Sequence, residues 1–297
     1  MNADQQLIYE ARGRNRQAIV AVLAGILLVA ASAIQLTGPH TKVDELTTDL
    51  IAANQRFPLD LIASVINGIG SLAVAWTLNY LYRCSRARND EVKPFVRIIA
   101  VTGGVLAAIT GIAYAIIVAV KVHEFVTTGA QTYEEANRLT NSSGLLVLQL
   151  LGQAAALLLA VGFVLVSLNA MRQGLLTRFM GYLGIFAGVL VLFQITQIPV
   201  VQGYWLAALA YLISGRWPTG LPPAWRSGRS EPWPSSAEMR ARRAAGGSGR
   251  ATPTPKPSLK PSASASRGSQ PQPAGAPAPV SGRTRASTPK RKRKRRS

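Results

Sequence analysis

Five apolar stretches of this sequence contain no Asp, Glu, Lys or Arg, and they constrain the fold more than any other feature. A charge at the centre of a bilayer is costly, so long charge-free apolar stretches are typical of membrane-spanning helices. About 20 helical residues cross a hydrocarbon core about 30 Å thick. The sequence therefore predicts an all-α fold, a six-span transmembrane helical bundle, with spans over residues 18–36, 61–82, 98–120, 145–168, 179–197 and 200–215.

The last stretch, residues 179–215, is predicted to hold two of these spans. A single helix over its 37 residues would be about 55 Å long, nearly twice the thickness of the hydrocarbon core. Pro199 lies near its middle, close to Gln194, Gln197 and Gln202. Proline and clustered glutamines favour a polar turn, so we expect two short helices joined by a hairpin.

The distribution of Lys and Arg predicts the orientation. Three arginines precede the first span, five basic residues lie between the second and third, two between the fourth and fifth, and 19 follow the last. The loops of the opposite side carry two, two and none. Cytoplasmic loops are enriched in Lys and Arg. We therefore expect a multi-pass protein of a bacterial cell (inner) membrane with both termini in the cytoplasm. Residues 1–17 form its cytoplasmic N-terminus.

An alternative interpretation of the N-terminal region removes the first span. Ala31-Ser32-Ala33 resembles a signal-peptide cleavage site, and cleavage there would remove the first span.

The outer loops, residues 37–60 and 121–144, are each long enough for a short helix, over residues 43–55 and 133–139. Small residues recur at four-residue spacing and predict either close packing within the bundle or a homo-oligomer interface: Gly152, Ala156 and Ala160; Ser64, Gly68 and Leu72; Gly184 and Gly188.

The polar side chains within the apolar stretches are amides and hydroxyls rather than ionisable groups. The amides are Asn67, Asn79, Gln149, Gln153, Gln194 and Gln197. Two interpretations fit them, namely hydrogen bonds between helices or a polar pathway through the bundle. Proton relays and ion-coupled transporters place ionisable groups at mid-membrane, so the pattern argues against an active transporter of that kind.

No residue pattern predicts catalysis. Cys84 is the single cysteine, and His40 and His123 are the two histidines. Acidic residues follow each histidine within five positions, and imidazole and carboxylate groups together are metal ligands. We interpret them instead as an inert thiol and two solvated imidazoles. The sequence contains no H-E-x-x-H, G-x-S-x-G or P-loop pattern. We therefore predict no enzyme, no metal site and no cofactor.

Residues 216–245 are predicted to form a juxtamembrane collar. Trp217, Trp225 and Trp233 alternate there with Pro and Arg. Tryptophan prefers the membrane interface and arginine pairs with anionic headgroups, so these three side chains are candidate membrane-interface residues. Ser235-Ser236-Ala237-Glu238 fits a capping box that begins a short basic helix.

Residues 246–297 are predicted to be a disordered basic tail. They are rich in Pro, Ser, Ala, Gly and Arg, and such a segment buries too little apolar surface to offset its ordering entropy. The candidate polyanion-binding residues are consecutive: Lys290, Arg291, Lys292, Arg293, Lys294, Arg295 and Arg296. A run of this kind indicates an electrostatic arm for nucleic acid, anionic lipid or an acidic protein. A merely solvating tail is the alternative.

The pattern G-L-L-x-R-x-x-G within residues 168–192, followed by GRWP and PPAW within residues 215–225, resembles an uncharacterised family of actinobacterial-type multi-span membrane proteins. The resemblance covers about 60 residues. It implies a membrane architecture and carries over no catalytic residue.

These observations favour a non-enzymatic integral membrane protein whose cytoplasmic basic tail engages an anionic partner. The alternative is a small membrane facilitator or channel with a polar pathway lined by the intramembrane Asn and Gln residues. A membrane enzyme is the third class.

Overall fold

The computed structural model describes residues 3–37, 46–193, 199–218, 220–233 and 240. The described residues belong to one compact unit, Met1–Arg242. Nine α-helices and no strand occur in the described ranges: α1 Ala3–Leu36, α2 Leu46–Arg56, α3 Leu59–Arg88, α4 Phe95–Thr127, α5 Tyr133–Thr140, α6 Ser143–Arg172, α7 Arg178–Phe193, α8 Val200–Ile213 and α9 Pro223–Ser227.

Four of the helices, α1, α3, α4 and α6, are long and apolar enough to cross a membrane. They contain 34, 30, 33 and 30 residues, which corresponds to about 45–51 Å. Each helix is therefore longer than the span that the sequence predicts within it, and longer than a hydrocarbon core of about 30 Å.

Two shorter apolar helices, α7 and α8, lie in the stretch for which the sequence predicts two spans. They contain 16 and 14 residues, or about 24 and 21 Å. Proline has no N–H to donate and is tolerated at a helix start, and Pro199 is the residue that precedes α8. Gln194 and Gln197 lie outside the described residues. Both helices are shorter than the about 20 residues of a full crossing.

The helices pack in a continuous series, with α8 against α1, α1 against α3, α3 against α4, α4 against α6, and α6 against α7. The α4–α6 contact is close because glycine lies on both sides of it. A Cβ on Gly103 would lie 2.5 Å from the backbone nitrogen of Leu159, and one on Gly162 would lie 2.6 Å from the Cα of Ala100. Small residues at a helix contact permit such an approach in lipid.

The predicted small-residue faces do not all have the same surroundings. A Cβ on Gly68 would lie 2.9 Å from Cδ1 of Ile112, and one on Gly188 would lie 2.9 Å from Cβ of Phe163. Gly68 and Gly188 therefore pack against other helices of the bundle. Gly152 has more room, since the nearest atom to an added Cβ is the Thr110 hydroxyl at 3.9 Å. A homo-oligomer interface stays a prediction.

One end of the bundle, which we call the far end, is covered by α2 and α5. Leu50, Val122, Phe125 and Ala136 form a small apolar cluster there. Thr132 begins α5, and its hydroxyl accepts a hydrogen bond from the backbone N–H of Glu135. The far end thus contains helices from both long loops.

Candidate functional site: the basic end of the bundle

At the end opposite α2 and α5, which we call the basic end, four separate parts of the chain meet. They are the start of α1, the α3–α4 connection, the α6–α7 connection and the segment after α8. Their charged residues are mostly arginines. The sequence assigns the same four parts to one side of the membrane by charge alone. The sequence does not predict the contacts between these four parts.

The centre of the basic end is a buried ion pair between Arg88 and Glu10. Nη1 and Nη2 of Arg88 donate to the two carboxylate oxygens of Glu10 at 2.6 and 2.7 Å. Arg88 also donates two hydrogen bonds to the Ala224 carbonyl and one to the Cys84 carbonyl, which accounts for all five of its N–H groups. Gln6 donates a further bond of 2.8 Å to Glu10. We call Glu10, Arg88 and Ala224 the Arg88 clamp.

Both charged side chains of the clamp are 0% exposed. A buried charge is tolerated when its partner has good geometry and its remaining groups are hydrogen-bonded, and removal of one partner typically costs about 3–5 kcal/mol. The clamp joins chain segments that are 78 and 136 residues apart in sequence. It therefore links α1, α3 and α9 into one assembly.

Trp225 lies beside the clamp and is enclosed by protein, with 2% of its surface exposed. Its indole N–H donates a 2.9 Å hydrogen bond to the Leu175 carbonyl. The ring stacks on Tyr80 with 6.2 Å between centroids. The guanidinium groups of Arg14 and Arg88 lie 5.5 and 5.4 Å from the indole, in cation–π range. The structure thus places this candidate membrane-interface residue in the interior of the basic end.

Trp233 and Trp217 are half-buried at the same end. The Trp233 indole donates a 2.7 Å hydrogen bond to the Leu176 carbonyl, and Nη2 of Arg178 donates to the Trp233 carbonyl at 3.2 Å. Trp217 packs on Tyr211 with 6.0 Å between ring centroids. Two successive carbonyls of the α6–α7 connection therefore accept the indoles of two predicted collar tryptophans.

The α6–α7 connection is shaped to receive the chain near residue 231. Gly174 has φ +75°, in the left-handed region that glycine tolerates best. A Cβ there would overlap the Glu231 carbonyl. The Glu231 N–H donates to the Gln173 carbonyl at 3.2 Å, and the Ser230 hydroxyl donates to the Gln173 side chain at 2.5 Å. The described part of the collar is consequently bound along its length to the bundle.

Two cavities open at the basic end. The first is about 1030 Å³ and lies where the end of α3, the start of α4 and the chain after α9 meet. Its charged lining residues are Arg83, Arg86, Arg88, Arg97, Arg229 and Asp90. The second is about 870 Å³ and is mostly apolar and aromatic, lined by residues that include Phe179, Trp217, Leu221, Arg226 and Trp233. The first cavity is thus rich in arginine, whereas the second combines aromatic and apolar residues with Arg178, Arg226 and Glu231.

Other residues singled out from the sequence lie elsewhere. Several of them lie outside the described residues, namely Lys290–Arg296, His40, Gln194, Gln197 and the predicted capping box. His123 is exposed on α4, and Cys84 is buried in α3. Asn67, Gln149 and Gln153 are exposed on the surface of the bundle, and none of them lines either cavity.

The sequence reasoning missed Glu10, Arg88, Gln173 and Leu175. Arg88 is one of five basic residues in its loop, and Glu10 precedes a run of arginines. No local spacing distinguishes either residue from its neighbours. The carbonyls that accept the indoles belong to the backbone, and residue type reveals nothing about them.

No protein-family model, curated protein or solved structure matches this chain. The family resemblance of the sequence patterns stays a prediction. Both patterns nonetheless have a place in the structure, because G-L-L lies in the α6–α7 connection and PPAW contains Trp225, which binds to it.

Proposed function

We propose that this chain is a non-enzymatic, six-span protein of a bacterial cell membrane that holds a basic cytoplasmic tail at the membrane surface for an anionic partner. The Arg88 clamp is the observation that carries this proposal. It ties α9, in the segment after α8, to α1 and α3 through a buried ion pair and hydrogen bonds to the Ala224 carbonyl. The tail of residues 246–297 thereby follows a segment fixed to the bundle.

The packing of the ends supports an even number of crossings. Glu10 of α1 and Ala224, which follows α8, contact the same guanidinium. The chain therefore enters the first apolar helix and leaves the last one at the same end. This holds whether α7 and α8 each cross a locally thinned bilayer or enter it as a shorter hairpin, since both arrangements return the chain to its starting side.

The charge of the basic end supports a cytoplasmic orientation. Arg83, Arg97, Arg172 and Arg229 are all exposed there, and cytoplasmic loops are the side that carries excess Lys and Arg. With that orientation the tail, with seven consecutive basic residues at 290–296, extends into the compartment that contains nucleic acids and anionic leaflet lipids. Its partner is recognised by negative charge rather than by sequence.

The full-length protein in nanodiscs of neutral lipid tests this proposal. Fluorescent duplex DNA and vesicles with anionic lipid are titrated against wild type and against a variant with residues 290–296 replaced by glutamine. Seven phosphate contacts give a salt slope of about −6, so affinity for duplex DNA should fall more than about a thousandfold between roughly 50 and 200 mM salt. The glutamine variant should lose most binding to both ligands. Salt-insensitive binding, or equal binding by the two proteins, would refute an electrostatic arm at 290–296.

A further inference from the structure

Four arginines that are not part of the Arg88 clamp line the larger cavity. Arg83 and Arg86 come from the last two turns of α3, Arg97 from the first turn of α4, and Arg229 from the chain that follows α9. Asp90 is the one carboxylate that lines the same cavity. Positive charges gathered in this way repel one another unless an anion lies between them.

Three of these guanidinium groups are available to a ligand. Arg86 donates a 2.8 Å hydrogen bond to the Tyr82 hydroxyl. Arg83, Arg97 and Arg229 are exposed, and their side chains make no hydrogen bond or ion pair within the described ranges. Guanidinium groups bind phosphate oxygens in a bidentate manner, which makes arginine the preferred side chain for phosphate recognition.

The cavity also has an apolar wall on one side. Ile98 and Val101, which follow Arg97 in α4, line it, and Ile98 is 63% exposed. Both residues belong to the charge-free stretch 98–120, which begins immediately after Arg97. The basic rim is therefore continuous with a surface suited to lipid tails. The volume of about 1030 Å³ is at the upper limit of small-molecule sites and accommodates a headgroup with the start of its acyl chains.

We propose that this cavity binds the phosphate of an anionic phospholipid, with the headgroup among Arg83, Arg97 and Arg229 and an acyl chain along Ile98 and Val101. A soluble phosphate compound offers the same phosphate chemistry, but it leaves the apolar wall uncovered. The site is built from the bundle alone. It needs the bundle to lie in a membrane and is independent of the tail.

The test uses full-length protein purified in neutral detergent, with bound lipid counted by native mass spectrometry. Phosphatidylglycerol is titrated into wild type and into the Arg83→Gln/Arg97→Gln variant. Phosphatidylcholine is titrated into both proteins for comparison. The matched control is Arg172→Gln/Arg216→Gln, which removes two exposed arginines that line neither cavity. At about fivefold per guanidinium, the cavity variant should bind phosphatidylglycerol about 25-fold more weakly, and the control should match wild type.

Two further arms separate the possible sources of the phosphate and the possible sites. Inorganic phosphate should fail to displace the lipid, because it makes no contact with Ile98 or Val101. A phosphatidylglycerol with a photoreactive acyl chain should cross-link to wild type within residues 98–102. Repeating the titration with residues 290–296 replaced by glutamine separates this site from the tail, whose loss should leave lipid binding at the cavity intact.

Several outcomes would overturn the proposal. Equal weakening in the control variant would show that total charge, rather than the cavity, attracts the lipid. Equal binding of phosphatidylcholine and phosphatidylglycerol by wild type would show that the anionic headgroup is not recognised. Displacement by inorganic phosphate would identify a soluble anion as the occupant. Absence of cross-links at residues 98–102 would refute the acyl-chain position even if the glutamine variant failed to fold.

Discussion

The indole N–H of Trp225 donates a 2.9 Å hydrogen bond to the carbonyl oxygen of Leu175, 50 residues earlier in the chain. Trp233 makes the equivalent bond to the next carbonyl, that of Leu176. Leu175 and Leu176 are both fully buried. The connection between α6 and α7 is therefore a binding surface for the segment after α8, and the described part of that segment belongs to the packed bundle.

Replacement of Trp225 by phenylalanine should destabilise the protein. Phenylalanine leaves the buried Leu175 carbonyl without its partner, which costs about 1–3 kcal/mol, and the smaller ring adds a cavity in the enclosed pocket. The free energy of unfolding in mixed micelles measures the effect. Trp217→Phe is the control, because the Trp217 indole makes no hydrogen bond to the described residues. Equal losses in the two variants would contradict the role assigned to the Trp225 bond.

The Arg88 clamp makes a prediction about paired substitutions. Arg88→Met leaves the buried Glu10 carboxylate without its cation and should destabilise the bundle by about 3–5 kcal/mol. The double variant Glu10→Met/Arg88→Met removes both charges and should be more stable than Arg88→Met alone. Thermal unfolding in detergent checks the order, with Arg172→Met as an exposed control expected within about 0.5 kcal/mol of wild type. A double variant less stable than the single one would show that the charges are not coupled.

Gly174 is predicted to be intolerant of alanine. An L-residue at φ +75° costs about 1–2 kcal/mol, and the added Cβ would also displace the Glu231 carbonyl. The Arg229 side chain is already exposed, but trypsin also needs the backbone around it to be free of the bundle. Release of this segment should supply that freedom, so cleavage at Arg229 should be faster in Gly174→Ala than in wild type. Gly144→Ala serves as the control, since no atom lies within 4 Å of an added Cβ at that position. Unchanged cleavage in Gly174→Ala would mean that this contact does not hold the segment.

The long helices were predictable from sequence because the cost of placing charge in lipid depends on residue type alone. The charge-free stretch 61–82 predicts a span, and α3 occupies it from Leu59 to Arg88. The sequence did not show that the helix continues to Arg88. Arginine has good helix propensity, and a helix can extend past the membrane wherever other parts of the protein contact it.

The contacts of the basic end were not predictable for a different reason. Glu10 and Arg88 are 78 residues apart, and neither has a local pattern that distinguishes it from nearby charged residues. Trp225 was predicted at the membrane interface because an indole there has an apolar ring and a hydrogen-bonded N–H. A buried indole bonded to a backbone carbonyl satisfies the same two requirements. Residue type alone does not separate the two environments.

The connection between α7 and α8 is predicted to reach the side opposite the tail. An epitope tag inserted after Ile198 should be accessible from outside intact cells, because α7 begins and α8 ends at the basic end. The helices are only about 24 and 21 Å long. If they instead form a hairpin that stops within the membrane, the tag should be protected. Such protection, with a cytoplasmic tail, would refute six full crossings and leave both termini on one side.

Sidedness is predicted to follow the Lys and Arg distribution. Single cysteines at Thr47, Asn89, Thr132 and Ser264, in a background with Cys84 replaced by serine, can be labelled with a membrane-impermeant maleimide. Thr47 and Thr132 lie at the far end and should react in intact cells. Asn89 follows Arg88 at the basic end and should react only after permeabilisation. Ser264, which lies outside the described residues, should behave like Asn89. Reaction at Ser264 in intact cells, with Asn89 protected, would place the tail outside and contradict an even number of crossings.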